Sequence, residues 1–385
     1  MRVLVLSNLY PPNAMGGYEM SCRDVVERWR AAGHDVVVLT TAETVRGTVE
    51  PSVPEPHVRR ELRWWWHEHQ FLRPPWRERF RVEKHDLRLL AQLLATFRPD
   101  VVSVWHMGGL PMSLLDALAQ QRVVLNVCDE WPAYGPRVDP WLSGLAGLPR
   151  PVRQLVARLT GLPTALPDLD RHAAAVVSTA TLETLRRTTA FGFPRAVVVG
   201  SGIDTDDFPL VTPADRGWQW RLLAVGRVEP RKGFDTAVAA LDLLPDAATL
   251  RIAGVADPEH LSALTHPRVR LGAVPRAEVA GLYRSADVLV FPSRWQEPFG
   301  LVPLEAMSQG VPVVATRQGG SAEFLEHEVN CLVVPPDDPP ALAAAVTRLS
   351  TDPELRRRLA EGGIRTAGQW TLAGLAERLA AVHGL

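Results

Sequence analysis

Short apolar runs recur along this chain at intervals that leave room for one helix between neighbours. Val3-Leu6, Val36-Leu39, Val101-Val104, Val123-Val127, Ala175-Ser178 and Ala196-Val199 are rich in valine and show no polar alternation. Such runs read as strands buried on both faces, the condition of a parallel sheet. A second series follows at Leu222-Val225, Thr249-Ala253, Val269-Leu271, Val288-Phe291, Val311-Ala315 and Cys331-Val334. Between the strands, apolar spacing turns helical over Met20-Ala32, Asp86-Phe97, Phe234-Leu241, Ala277-Ser285 and Ala341-Leu349. Two successive strand-helix series predict an α/β chain of two doubly wound sheets, each binding ligands at the carboxyl ends of its strands. The loop-rich stretch Ser201 to Trp220, with Pro209 and Pro213, is the natural linker. No repeat at a solenoid period is visible.

Composition narrows the function classes. A chain of 385 residues with 46% apolar content exceeds one comfortable core, which favours two domains. A net charge of -1 argues against a global field for nucleic acid or membrane. Cys22, Cys128 and Cys331 are widely separated, so neither a disulfide framework nor a metal cluster is expected, and a reducing cytoplasm fits. The apolar start, Met1 to Leu6, is too short and wrongly flanked for a signal peptide. No apolar run approaches the roughly 18 residues of a membrane span.

Candidate chemistry concentrates in two segments. Gly226-Arg227-Val228-Glu229-Pro230-Arg231-Lys232-Gly233 places cations just after the Leu222-Val225 strand. Glu297-Pro298-Phe299-Gly300-Leu301-Val302-Pro303-Leu304-Glu305 sets two carboxylates around a turn that opens a helix. Lys232 is one of only two lysines, with Lys84, among 42 Lys and Arg. A lysine kept in so arginine-rich a chain fits a need for a compact point charge; the bland alternative is a stray surface residue. Together the segments offer cations for a diphosphate and acceptors for sugar and ribose hydroxyls, as a sugar nucleotide requires. The helix near Gly300 adds amides and the positive end of its dipole, and Pro303 suits a first turn. Glu297 and Glu305 lie more than a turn apart and cannot face the same atom.

These two signatures, in this order, resemble those of a retaining glycosyltransferase of the GT-B fold, family 4. The likeness runs essentially end to end: Asn8-Leu9-Tyr10-Pro11-Pro12 with Gly16-Gly17, Gly33-His34-Asp35-Val36, Arg98-Pro99-Asp100-Val101-Val102 and Gly202-Ile203-Asp204 also resemble recurring family segments. The resemblance implies two Rossmann-like domains facing a cleft. The acceptor domain would span 1–207, the donor domain 208–370, and a C-terminal helix, 371–385, would return to the first. It further implies that Arg227 and Lys232 hold the departing diphosphate, that Glu297 contacts the transferred sugar, and that Glu305 binds the ribose. Phe299, Gly300 and Leu301 would border the donor, with backbone amides of Phe299 and Gly300 turned to it, and Val274 is proposed beside the base. Against these stands the plain alternative that Glu305 is a solvated helix residue.

In the first domain, Gly16 and Gly17 let backbone approach a phosphate or sugar, although a plain tight turn reads equally well. His106 follows the Val101-Val104 strand and resembles the family histidine near the reacting carbon, positioned to orient a hydroxyl or take a proton; a structural histidine is the alternative. Asp129 lies at another strand end, where the family commonly has His-Asp and this chain has Cys128-Asp129. Asp168-Leu169-Asp170 and Asp204-Thr205-Asp206 spell the metal motif of a different glycosyltransferase fold, at unconvincing positions. No metal or other cofactor is expected.

The segment His57 to Leu90 is the least typical, with nine Arg/Lys, five Asp/Glu and four Trp. Packing on the protein as an acceptor wall, docking on a membrane surface, and contact with another copy all remain open. The expected activity is transfer of a sugar from a nucleotide donor to an acceptor hydroxyl with retention. The acceptor could be a lipid-linked glycan, a secondary metabolite or a small sugar. Location is expected to be cytoplasmic, with peripheral membrane contact left open. A sugar-nucleotide epimerase, a phosphorylase, or a non-catalytic sugar-nucleotide-binding or membrane-docking partner are the rivals. No nucleic-acid role is expected.

Overall fold

The computed structural model describes residues 1–42, 55–67, 70–213, 217–255 and 260–385. Residues 68–69 of the tryptophan-rich segment and 214–216 of the expected linker lie outside that set. The chain forms two units: Met1–Val199 together with Ala376–Leu385, and Gly200–Leu375. The expected boundary, 207/208, falls a few residues later. Residues 200–207 belong to the second unit because Ile203 bridges Thr371 and Asp207 pairs with Arg276 at 3.1 Å.

The first unit runs β1 (Arg2–Leu6), α1 (Gly17–Ala31), β2 (Asp35–Thr41), β3 (Val58–Leu62), a hairpin of β4 (Trp66–His67) and β5 (Gln70–Phe71), and α2 (Trp76–Phe97). It continues through β6 (Val101–Val104), α3 (Ser113–Ala117), β7 (Val123–Val127), α4 (Trp131–Val138), α5 (Pro140–Leu145) and α6 (Arg150–Thr160). The last elements are β8 (Ala173–Val176), α7 (Thr179–Thr188) and β9 (Ala196–Val198). Seven parallel strands lie in the order β3-β2-β1-β6-β7-β8-β9. The sheet therefore reverses its winding between β1 and β6. The valine runs are buried on both faces, as continuous apolar strands must be.

In the second unit come β10 (Arg221–Val225), α8 (Phe234–Leu241), β11 (Thr249–Ala253), β12 (Val269–Gly272), α9 (Arg276–Ser285) and β13 (Val288–Phe291). Then follow α10 (Leu301–Ser308), β14 (Val313–Ala315), β15 (Leu332–Val333), α11 (Pro339–Thr351) and α12 (Pro353–Gln369). Its six parallel strands are ordered β12-β11-β10-β13-β14-β15, with the reversal between β10 and β13. The final helix, α13 (Leu372–His383), begins in this unit and ends in the first. There Trp29 donates to the Ala376 carbonyl at 3.2 Å, and His383 lies 2.9 Å from the Ser103 hydroxyl.

Several expectations shift, each for a physical reason. The run at Ala175-Ser178 forms a strand two residues earlier, because the Ser178 hydroxyl caps α7 by accepting from the Thr181 amide at 3.1 Å. The run Val311-Ala315 pairs only from Val313, since Pro312 has no N–H to give a ladder. Helix α2 starts at Trp76, ten residues before Asp86, because its first turns are thick with charge and hide the apolar period. Strand β3 was not expected: Val58-Arg-Arg-Glu-Leu62 is too charged to read as core, and it lies at the sheet edge, where charge is tolerated.

The charge on α2 is partly buried. Glu83 and Asp86 are wholly buried, close to Asp139 at the α4–α5 joint. Asp139 accepts from the amides of Met112 and Leu142 at 2.8 and 2.7 Å, Asp86 accepts from the Arg63 amide at 3.1 Å, and Ser113 donates to Glu83. Burial nevertheless pushes Asp86 and Asp139 up to about 6 each. Glu83 goes well above the usual carboxyl range, by burial first and then the charge of Asp139. A carboxyl raised on folding stabilises at low pH and loses that contribution as pH climbs through its folded pKa. Glu83→Gln, which mimics the protonated form, should therefore raise the melting temperature at pH 8 and leave it nearly unchanged at pH 5. Thermal unfolding at the two pH values checks this; an equal offset at both would show that Glu83 does not titrate on folding.

Candidate active site

The candidate residues form two clusters, one at the winding reversal of each sheet, where a crevice opens beyond the strand ends. In the second unit the loops after β10 and β13 are its walls. Gly226 leaves β10 at φ 139°, and a Cβ on Gly254 would meet its carbonyl at 1.8 Å, so the two backbones close up only because both residues are glycine. Gly233, at φ 66°, passes over Pro292, whose carbonyl a Cβ would meet at 2.1 Å. That approach ties the loops: the amides of Arg294 and Trp295 donate to the Arg231 carbonyl at 2.9 and 3.2 Å.

Lys232 and Glu297, 65 positions apart, meet there. The Lys232 ammonium donates to Glu297 Oε1 at 2.7 Å, and the Ser293 hydroxyl donates to the same oxygen at 2.8 Å. Glu297 is 4% exposed, so this is a largely desolvated ion pair. Arg231 stacks on Trp295, 3.9 Å from its ring centre, and Lys232 lies 5.2 Å from the same ring. Arg227 remains mostly exposed, with Nη1 3.2 Å from Glu229. Burial pushes Glu229 up, but Arg231, Arg227 and Lys232 outweigh it and hold the carboxyl below its usual range.

Gly300, in left-handed conformation at φ 87°, caps the amino end of helix α10. Its amides at Leu301 and Val302 are the orphan donors of the first turn; Pro303 has none. Phe299 is buried against Phe324 and Trp370, ring centres 5.3 and 5.1 Å away, so its side chain anchors the turn and only its backbone is left for a ligand. Gly319, at φ 61°, lies against the backbone of Gln296 and Glu297, and the Gly320 amide donates to the Glu297 carbonyl at 2.6 Å. Glu305, further along α10, accepts from the Tyr283 hydroxyl at 2.8 Å and lies 3.4 Å from Arg276 Nη1. Burial raises its carboxyl, against the pull of Arg276 and Tyr283. The reading of Glu305 as a solvated helix residue is overturned: it is 6% exposed. Val274 sits half-buried between β12 and α9, whose first residue is Arg276.

In the first unit, Gly16 and Gly17 are exposed at the start of α1, and the Gly16 amide donates to buried Glu19 at 3.0 Å. His106 follows β6 and is buried. Its Nε2 lies 3.1 Å from Asp129 Oδ2 and 2.8 Å from the Tyr134 hydroxyl, which itself donates to Asp129 Oδ2 at 2.9 Å. Burial pulls the His106 pKa down, but the Asp129 carboxylate more than offsets it, leaving the ring raised. For Asp129, burial pushes up, and His106, Tyr134 and the Trp131 amide together bring it below its usual range. About a third of the Asp129 side chain reaches solvent, so the cluster is approached from that side.

Comparison with known proteins gives this geometry a family. Residues 15–207 match the model for Glycosyltransferase Family 4, and residues 214–366 that for glycosyl transferases group 1. The chain belongs to glycosyltransferase family 4. A glycogen synthase of Mycobacterium tuberculosis is 30% identical over 383 residues, covering 94% of this chain and 88% of that protein. A D-inositol 3-phosphate glycosyltransferase of Xylanimonas cellulosilytica is 36% identical over 192 residues, 44% of this chain and 46% of its own. Among solved structures, a sucrose-phosphate synthase of Thermosynechococcus elongatus superposes with a TM-score of 0.71 at 22% identity, covering 100% of this chain and 98% of the other. HepE of Anabaena in complex with UDP-glucose does so with 0.65 at 19%, covering 99% and 98%. The fold is GT-B.

Within this glycosyltransferase the structure brings Lys232, Glu297 and the α10 turn together, and joins His106 to Asp129. Five partners escaped the sequence reading: Tyr134, Ser293, Trp295, the Gly319-Gly320 pair and the Arg276–Tyr283 couple. Tyr134 and Trp295 stand five and two residues from Asp129 and Glu297, close enough to have been weighed; the Arg276–Tyr283 couple reaches Glu305 from α9, which sequence spacing does not connect to it. The Asp-x-Asp spellings prove to be turns, with Asp168 and Asp204 each accepting from the amide two residues on at 3.0 Å. Among the described residues no three His, Cys, Asp or Glu converge as a metal set.

In the tryptophan-rich segment, Trp64 and Trp65 are core residues. Trp64 donates to the Gly108 carbonyl at 2.9 Å and so buttresses the His106 loop. Asp129→Asn should lower the pH at which His106 loses its proton, read from the imidazole NMR signals across pH 5 to 9; an unmoved titration would remove Asp129 as the cause.

Proposed function

We propose that this glycosyltransferase transfers a sugar from a nucleoside-diphosphate donor to an acceptor hydroxyl, with retention and without a metal ion. The observation that carries the reading is the buried Lys232–Glu297 pair at the β10/β13 reversal, beside the amino end of α10. The bond from the anomeric carbon to the diphosphate breaks, and the acceptor oxygen adds on the same face. The acceptor proton leaves with a phosphate oxygen. Negative charge gathers on the diphosphate, where Arg227 offers a fork, Lys232 a point charge, and the first turn of α10 its amides. Glu297, in the loop before α10, positions the transferred sugar, and Glu305, held within α10 by Tyr283 and Arg276, binds the ribose. No carboxylate pair in the candidate set suits a double displacement, which favours the same-face route. His106, raised by Asp129, orients a sugar or acceptor hydroxyl.

UDP-glucose is the first donor to test, because HepE, of the same fold, holds it. Thermal shifts with UDP, GDP, ADP and TDP identify the nucleotide: at ~100 times its dissociation constant a ligand adds about 2.7 kcal/mol. Lys232→Ala should abolish that shift and cut turnover about a hundredfold, the worth of ~2–3 kcal/mol at the transition state. It should also lower the ligand-free melting temperature, since Glu297 is left buried beside Ser293 alone. An unchanged nucleotide shift in the variant would sink the donor site as drawn. Retention is read from the anomeric NMR signal of the first-formed product. Loss of activity with a chelator, restored by manganese or magnesium, would overturn the metal-free route.

A further inference from the structure

Helix α6 is mounted with its apolar stripe outward. On its helical wheel, Val152, Leu155 and Leu159 fall on one side at spacings of three and four residues, and Leu148 lies two residues before the helix begins. These four are 41%, 55%, 77% and 38% exposed, and no residue of α6 is buried. The helix rests on the protein through a flank that includes Val156, which packs on the core of the first unit. An amphipathic helix normally hides its apolar face; here that face is what solvent meets.

The surroundings continue the pattern. Phe71, Leu72 and Trp76 are each about 40% exposed, and Trp76 stacks on Trp141 of α5 at 4.4 Å, a few residues before α6. Gly161, which ends α6, lies 3.4 Å from Lys84 of α2, counted from the position of a Cβ. The two stretches, 70–81 and 140–167, together hold seven arginines against one acid, Glu78, in a chain whose net charge is -1. Exposed leucines on a helix flanked by arginines, with aromatics at the margin, match the polarity gradient of an anionic bilayer surface. A second copy of this chain would bring the same cations face to face.

We propose that α6, with Phe71, Leu72 and Trp76, docks the first unit on anionic lipid. Phe71 borders the His106 cluster, its ring centre 6.4 Å from that of Tyr134, and the inference does not depend on the donor reading. Among the described residues no helix is long and apolar enough to cross a membrane, so the contact is peripheral.

The test is co-sedimentation of the full chain with vesicles of phosphatidylcholine, with and without phosphatidylglycerol, at 0.1 and 0.5 M salt. The expected result is partitioning onto the anionic vesicles alone, weakened by salt. It should fall tenfold or more in the double variant Leu155→Glu/Leu159→Glu, and about fivefold for each of Arg150→Ala and Arg158→Ala. The melting temperature should be unchanged in all of them, because these side chains meet solvent. No binding to anionic vesicles, or binding indifferent to the leucine variant, overturns the proposal. So does a concentration-dependent dimer by sedimentation velocity that the leucine variant abolishes in the absence of vesicle binding.

Discussion

Each parallel sheet in this glycosyltransferase reverses its winding at its first strand, and the candidate chemistry hangs from that reversal. Helices leaving β1 and β6, or β10 and β13, turn to opposite faces, so the loops between them part and leave a crevice at the strand ends. Gly16 and His106 hang from one reversal; Lys232, Glu297 and Gly300 hang from the other. The positions of the residues follow from topology before any side-chain contact is considered.

Two devices then refine the crevice in the second unit. Glycines at 233, 254 and 319 remove side chains where backbones must nearly touch, Gly226 takes a φ of 139°, and the resulting loop contacts bring Lys232 within 2.7 Å of Glu297. Ion pairing does the rest. A buried pair is weak evidence for stability, since desolvation offsets most of the attraction, but it fixes geometry because neither partner tolerates being left alone. The lysine is thus held ready in an orientation that a flexible surface ammonium would not keep. In the His106–Asp129–Tyr134 cluster the three side chains bond one another through His106 Nε2, and Asp129 raises the imidazole pKa where burial alone would lower it.

Buried charge elsewhere follows a different rule. Glu83, Asp86 and Asp139 gather in the first unit with hydroxyl and amide donors and with His85, 2.9 Å from Asp86, and burial outweighs these partners, so their pKa values rise.

Much of the fold was legible in the chain. Valine runs such as Val101-Val104 and Val288-Phe291 coincide with strands because a strand buried on both faces must be apolar throughout, and no helix of that length is stable alone. Charged elements such as β3 and the first turns of α2 were not legible, since an edge strand and a polar-rich helix start leave no apolar period.

The sequence by itself determined which residue types stand at the strand exits, and with them the family. A lone lysine beside a glycine and two glutamates eight apart are local patterns, set by what a short loop and a helix turn must contain. Only the tertiary structure decided the pairings: Lys232 with Glu297, His106 with Asp129 and Tyr134, Glu305 with Tyr283 and Arg276, and an α6 whose apolar side meets solvent. Those depend on which loops lie side by side and which face of a helix is turned to the core. Both are properties of the packed sheet that no window of the sequence contains.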